Sequence, residues 1–227
     1  MGKTYIITGQ YGSGKTEFCV NLAIQLAKSG ESVTLADMDV INPYFRSREQ
    51  AEMLMARGVE VVGSHLDLHN IQDLPAINFG FISRIRRGEN VIIDLAGGEN
   101  GLKILTRCYN AINPDAYEFL CVINRFRPDT KTAQGIIDFA EDVNYLSKLK
   151  LTGLVNNGNL LRETTAEHVL YSQEAIAEAA QILDLPIAYT MLHRDIYADL
   201  VTGGQWPPLR SEQLMILDEL HMRKNWQ

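Results

Sequence analysis

The chain has 227 residues, of which 46% are hydrophobic and 22% charged, the balance of a globular protein long enough for one α/β sheet domain. Its formal charge of −7 argues against a broad non-specific nucleic-acid surface, so no nucleic-acid partner is expected. No apolar run reaches the roughly 18 residues a membrane span needs, and a strand begins almost at Met1, so neither a membrane anchor nor a signal peptide is expected and the protein reads as cytoplasmic.

In chain order, Thr4 to Thr8 is a short β-rich run that ends at Gly9. Phe18, Cys19, Leu22 and Leu26 then recur at helical spacing, and Gly30 stands where a helix-terminating glycine belongs. Ser32 to Ala36 is a second strand, 38–47 is irregular, 48–57 is helical, 59–62 is a short strand and 64–75 is loop. A helix over 76–87 with a basic end leads to the continuous apolar run Asn90–Leu95, the pattern of a strand buried on both faces. A loop over 97–101, a helix over 102–109 and a strand over 117–123 follow. Helices over 130–149 and 165–183 alternate with strands over 151–155 and 186–190. The remainder, from about 194, is expected to be an irregular segment followed by a helix from about Ser211. The alternation predicts a three-layer α/β fold, a mostly parallel sheet with helices on both faces, in a single domain with a helical extension at its carboxyl end.

The stretch between the first strand and the first helix carries the chemistry. Gly9-Gln10-Tyr11-Gly12-Ser13-Gly14-Lys15-Thr16 fits G-x-x-x-x-G-K-[ST], the phosphate-binding loop. Its glycines allow backbone angles and close approaches that a Cβ would block, so the N–H groups can turn inward onto phosphate oxygens. Lys15 would reach the β- and γ-phosphates, the Thr16 hydroxyl would occupy one Mg²⁺ position, and the helix beginning near Lys15 points its positive end at the same anions. Asp94 closes a strand of the form h-h-h-D, where a second carboxylate faces the phosphates across the sheet edge and holds Mg²⁺, directly or through water. Asp37-Met38-Asp39 closes the second strand. Two carboxylates spaced i, i+2 point to one side, so Asp37 can reach the Mg²⁺ shell while Asp39 orients or deprotonates a water.

Other features are weaker. Cys19, Cys108 and Cys121 form no C-x-x-C pair and read as buried thiols. His65 and His69, with Asp67 between them, lack a helix signal and a third ligand. Trp206-Pro207-Pro208 reads as a contact surface or a chain reversal.

The order GxxxxGKT, then D-x-D, then h-h-D-x-x-G-G resembles the SIMIBI class of P-loop proteins, specifically the MinD/ParA/CobQ-like ATP-binding family. The resemblance runs from the first strand to about Thr190. It implies ATP and Mg²⁺ as cofactors, with Lys15 and Asp39 as catalytic residues and Thr16, Asp37 and Asp94 around the metal. Nucleotide contacts are implied for Gly9, Gln10, Tyr11, Gly12, Ser13, Gly14, Lys15, Thr16 and Glu17. Asp39–Arg48 sits where the family carries its first switch, and Gly97-Gly98 forms the second. Asn157, with Asn156 as the fallback, stands where the family places an adenine-reading asparagine, whose amide supplies both a donor and an acceptor.

Many members of that family carry K-G-G-x-G-K-[ST], with a lysine that reaches the partner subunit's nucleotide. Here Gln10 replaces that lysine and Tyr11 the following glycine. A dimer that forms on nucleotide binding must then use another cation, for which Arg46 and Arg48 are candidates. The reading that follows is an ATPase that switches a protein partner. The alternatives are a small-molecule kinase or ligase of the CobQ/dethiobiotin-synthetase branch, and a GTPase metallochaperone, for which neither Asn124-Arg125-Phe126-Arg127 nor Asn156-Asn157-Gly158-Asn159 supplies the usual Asn-Lys-x-Asp element. The carboxyl end has only a weak amphipathic pattern (Leu214, Leu217, Leu220, Arg223, Lys224), so it is expected to pack on the domain rather than on a membrane.

Overall fold

A computed structural model describes residues 2–38, 51–63, 80–202 and 214–217. Along the chain it forms β1 (Thr4–Gly9), α1 (Lys15–Lys28), β2 (Val33–Asp37), α2 (Ala51–Met55), β3 (Val59–Gly63), α3 (Phe81–Arg86), β4 (Asn90–Asp94) and α4 (Glu99–Leu105). β5 (Tyr117–Ile123), α5 (Ala133–Ser147), β6 (Gly153–Asn156), α6 (Ala166–Leu183), β7 (Ile187–His193), α7 (Arg194–Thr202) and β8 (Leu214–Leu217) complete it. Among the described residues, all eight strands are parallel and lie in one sheet, in the order β3-β2-β4-β1-β5-β6-β7-β8.

The strand order determines which face each helix covers. The chain leaves β1 in one direction to β2 and β3, returns through β4, and then runs the other way from β5 to β8. Right-handed crossovers place helices on one face for the outward run and on the other for the return. Accordingly, Phe18, Cys19 and Leu22 of α1 and Leu54 of α2 share one core with Ile7, Leu35 and Ile92. Phe81 and Ile85 of α3, Leu102 of α4, Ile136 and Ala140 of α5 and Ile176 of α6 share the opposite core with Ile6, Ile93 and Phe119. β1, β2 and β4 are buried along their whole length, as their unbroken apolar runs require. β1 and β4 are neighbours whose outgoing connections cross to opposite faces, and that reversal opens a crevice at their carboxyl ends.

Most strands fall where the sequence places them; β5 spans Tyr117–Ile123 as expected. α4 starts at Glu99, inside the stretch read as loop, and gives way after Leu105 to a 3-10 turn over Thr106–Ala111. The carboxyl end differs more. Residues 194–202, read as irregular, form α7, whose Ile196 and Leu200 pack on Val169 of α6 and Leu192 of β7. Leu214–Leu217, read as part of a terminal helix, is instead β8, paired in register with Thr190–His193. The physical reason is that a strand buried in a parallel sheet is apolar on both faces. Leu-Met-Ile-Leu therefore carries no alternation to separate it from a helical stripe. No helix among the described residues is long and apolar enough to cross a membrane.

Candidate functional site

The loop from Gly9 to Thr16 joins β1 to α1 at the mouth of the crevice. Gly9, Gly12 and Gly14 all have positive φ, at 152°, 70° and 94°. Each is also crowded. A Cβ at Gly9 would strike the Val122 carbonyl of β5, and one at Gly14 would strike the Asn157 amide. Gly14 caps α1 without any side-chain hydrogen bond, so the first-turn N–H groups are not consumed by a protein cap. Lys15 is buried and its Nζ donates to the Gln10 carbonyl at 3.1 Å, 5.9 Å from the Tyr11 ring centre. The Ser13 hydroxyl is buried and has no hydrogen-bond partner among the described residues.

Three strand ends converge on this loop. In the β2–β4 ladder Asp37 and Asp94 are direct partners, and in the β1–β4 ladder Asp94 is opposite Ile7. The backbone is stitched across the same line, with Met38 N–H donating to Asp94 O at 2.9 Å and Leu95 N–H to Ile7 O at 3.1 Å. Both carboxylates are buried, Asp94 almost completely. Neighbouring strands about 4.8 Å apart bring the two acids side by side at the strand ends. Cys19 lies one turn along α1 from Lys15 and is fully buried. Burial first, and then the Asp94 charge, push its thiol well above its ordinary range, so it stays neutral. Cys19, Cys108 and Cys121 are all free and buried.

Glu17 sits in the first turn of α1 with one oxygen accepting from Asn21 Nδ2 at 3.0 Å and the other without a hydrogen-bond partner among the described residues. Burial raises its carboxyl to about 7, and the Asn21 hydrogen bond opposes that only in part.

On the opposite wall, Asn157 Nδ2 donates to the Ser13 carbonyl at 2.6 Å. Asn156 is fully buried, with Nδ2 on Gln173 Oε1 at 2.6 Å and Oδ1 accepting from Gly158 N–H at 3.0 Å. Asn156 therefore joins β6 to α6 and turns its amide away from the phosphate loop, whereas Asn157 holds the loop itself. Gly97 and Gly98 lie just after Asp94; a Cβ at Gly97 would come within 3.1 Å of the Tyr11 ring. Tyr11 is half exposed, so its ring bridges the phosphate loop and the glycine pair.

One contact has no counterpart in the sequence reading. Arg127, on the loop after β5, donates from Nε to the Gly12 carbonyl at 3.0 Å, across 115 residues of sequence. No spacing rule reports a contact of that separation; the only available signal was a cation in a strand-end loop. Asp39, Arg46, Arg48, the His65/Asp67/His69 group and Trp206-Pro207-Pro208 lie outside the described residues.

A glycine cradle with uncapped N–H groups, a buried lysine and two aligned carboxylates at the reversal point of a parallel sheet define a P-loop nucleotide-binding protein. The chain belongs to the CobQ/CobB/MinD/ParA nucleotide-binding domain family, whose model matches residues 5–171. Solved structures share the fold. Cell division protein FtsY of Thermotoga maritima matches with a TM-score of 0.53 and 24% identity over 85% of this chain and 62% of its own. FtsY of Mycoplasma mycoides matches at 0.52 and 18% identity over 84% and 60%. A nucleotide-binding protein of Archaeoglobus fulgidus in complex with ADP matches at 0.50 and 19% identity over 91% and 89%. The chain thus spans less than two thirds of the length of those FtsY chains. No curated protein sequence matches it.

Proposed function

We propose that this protein binds ATP with Mg²⁺, hydrolyses it, and uses the cycle to switch its affinity for a protein partner. The observation that carries the reading is the alignment of Asp37 and Asp94 on neighbouring strands beside the Lys15–Thr16 loop. Hard oxygen donors from Thr16, Asp37 and Asp94 suit Mg²⁺. Thr16, Asp37 and Asp94 would hold the ion, which when bound would offset the negative charge of the phosphates.

The protein's own groups do the rest. The loop N–H groups orient the phosphates, Lys15 neutralises charge on the β- and γ-groups, and Asn157 keeps Ser13 and Gly14 in place. Asp39, two residues beyond Asp37, is the group proposed to position the attacking water. Tyr11 against Gly97 supplies a direct contact between the cradle and the loop that follows Asp94, through which the γ-phosphate can bias the conformation of that loop. The ADP held by the Archaeoglobus fulgidus neighbour agrees with an adenine nucleotide.

The test is a Mg²⁺·ATP turnover assay on the purified protein, repeated with Asp39→Ala and with GTP. Turnover that needs Mg²⁺, prefers ATP and is lost in the variant, with nucleotide binding kept, supports the reading. Equal turnover in the variant removes Asp39 from the role, and equal use of GTP removes the adenine assignment. Sizing with and without ATP tests for a nucleotide-dependent dimer.

A further inference from the structure

We infer that Arg127 is a second fixed cation of the nucleotide site, with Nε holding the phosphate loop and its outer N–H groups binding the polyphosphate. The inference rests on the nucleotide-binding reading and names a residue that sequence spacing did not reveal. The loop itself carries one cation, Lys15, and a neutral Gln10 near its start. The structure brings a different cation to the same loop from the neighbouring strand. Arg127 Nε donates to Gly12 O at 3.0 Å, and its guanidinium lies so close to Gly12 that a Cβ there would come within 2.8 Å of its Cζ and Nη2. A guanidinium has five N–H donors in a planar fork. With Nε engaged, the fork's other edge stays available at the exposed rim of the cradle.

The arginine is presented by a built loop. Asn124, almost fully buried, is the hub. Its Nδ2 donates to Asn159 O at 2.9 Å, its Oδ1 accepts from Phe126 N–H at 3.1 Å, and its carbonyl accepts from Thr130 Oγ1 at 2.8 Å and from Arg127 N–H at 3.0 Å. Pro128 then fixes the backbone at the start of a 3-10 turn, and Thr130 N–H closes it onto Arg127 O at 3.2 Å. Arg127 forms no ion pair with an acid among the described residues. A guanidinium held beside a phosphate cradle, with no carboxylate paired to it among the described residues, has the chemistry to take phosphate oxygens two at a time.

The experiment is calorimetric titration of the full chain with Mg²⁺·ATP at low and high salt, for the unmutated protein, Arg127→Ala, Arg127→Gln and Arg127→Lys. Glutamine can still donate to Gly12 O but carries no charge, so Arg127→Gln separates the two tasks. The expected result is that the Ala and Gln variants both bind about tenfold more weakly, with a shallower salt dependence, and that Lys recovers part of the loss. If Arg127→Gln binds like the unmutated protein with the same salt dependence, the arginine serves only to hold Gly12 and the inference is overturned. Should Arg127→Ala unfold, the Gln and Lys variants carry the comparison. Failure of the unmutated protein to bind nucleotide at all would instead overturn the nucleotide reading, and this inference with it.

Discussion

The two ends of the same sheet carry different sets of polar groups. At the amino-terminal edge they are paired off. Lys3 N–H donates to Asn90 Oδ1 at 2.9 Å, Asn90 Nδ2 to Glu31 Oε2 at 2.7 Å, and Lys3 Nζ to Glu118 at 2.6 Å. Tyr5 is pushed up to about 12 there, first by burial and then by Glu118 and Glu31, and so stays neutral. At the carboxyl-terminal edge, buried charged groups are concentrated around one loop, with Asp37 beside Asp94, a buried lysine within the loop and Glu17 in the first helical turn. The first set ties strand ends together; the second surrounds the phosphate loop of a nucleotide-binding domain. Perturbed, buried ionisable groups are common where ligands act, and Glu17 is such a group in the first turn after the phosphate loop.

That contrast can be broken in a graded series. Lys15→Ala removes the one cation of the loop itself, and ATP affinity should fall on the order of a hundredfold or more, read by calorimetry, with an unchanged melting temperature in the absence of nucleotide. Asp94→Asn should keep nucleotide binding but raise the barrier to Mg²⁺-dependent turnover by several kcal/mol, read as loss of steady-state phosphate release.

Glu17→Gln tests what a buried carboxyl costs at the carboxyl-terminal edge. The folded protein holds the Glu17 proton up to about pH 7, whereas the unfolded chain releases it near 4.5. The folded state therefore loses stability as pH rises through that window, by about 3 kcal/mol in all, and the effect is level above it. Denaturant melts of the nucleotide-free protein at pH 5 and pH 8 should show this fall, and Glu17→Gln should flatten it.

Smaller effects follow. Asn157→Ala strands the Ser13 carbonyl and should cost about 1–3 kcal/mol of stability, together with weaker ATP binding as the loop loosens. Lys3→Ala, at the paired edge, breaks a partly exposed ion pair and should cost under about 1 kcal/mol, with ATP affinity unchanged. If Lys3→Ala weakens ATP binding as much as Asn157→Ala, the division between the two edges fails.

Much of this arrangement is legible in the sequence because it is local. GQYGSGKT declares its own loop, and β-rich runs ending in Asp37 and Asp94 mark two further strand ends. What escapes is non-local. Arg127 on Gly12 joins positions 115 residues apart, and Asn157 on Ser13 joins positions 144 apart. The resemblance suggests that Asn157 reads adenine; its contact with Ser13 O gives it a second task that no motif encodes. β8 is missed because a four-residue apolar run looks alike on a helix and in a buried strand, and only its pairing with β7 decides between them.

The most direct measurement is calorimetric titration of ATP with and without Mg²⁺, on the unmutated protein and on Asp37→Asn/Asp94→Asn. Binding that tightens with Mg²⁺ in the unmutated protein, and loses that gain in the double variant, is the predicted result. A gain of the same size in the double variant, or no ATP binding by the unmutated protein, would contradict the assignment of this sheet edge as a Mg²⁺–nucleotide site.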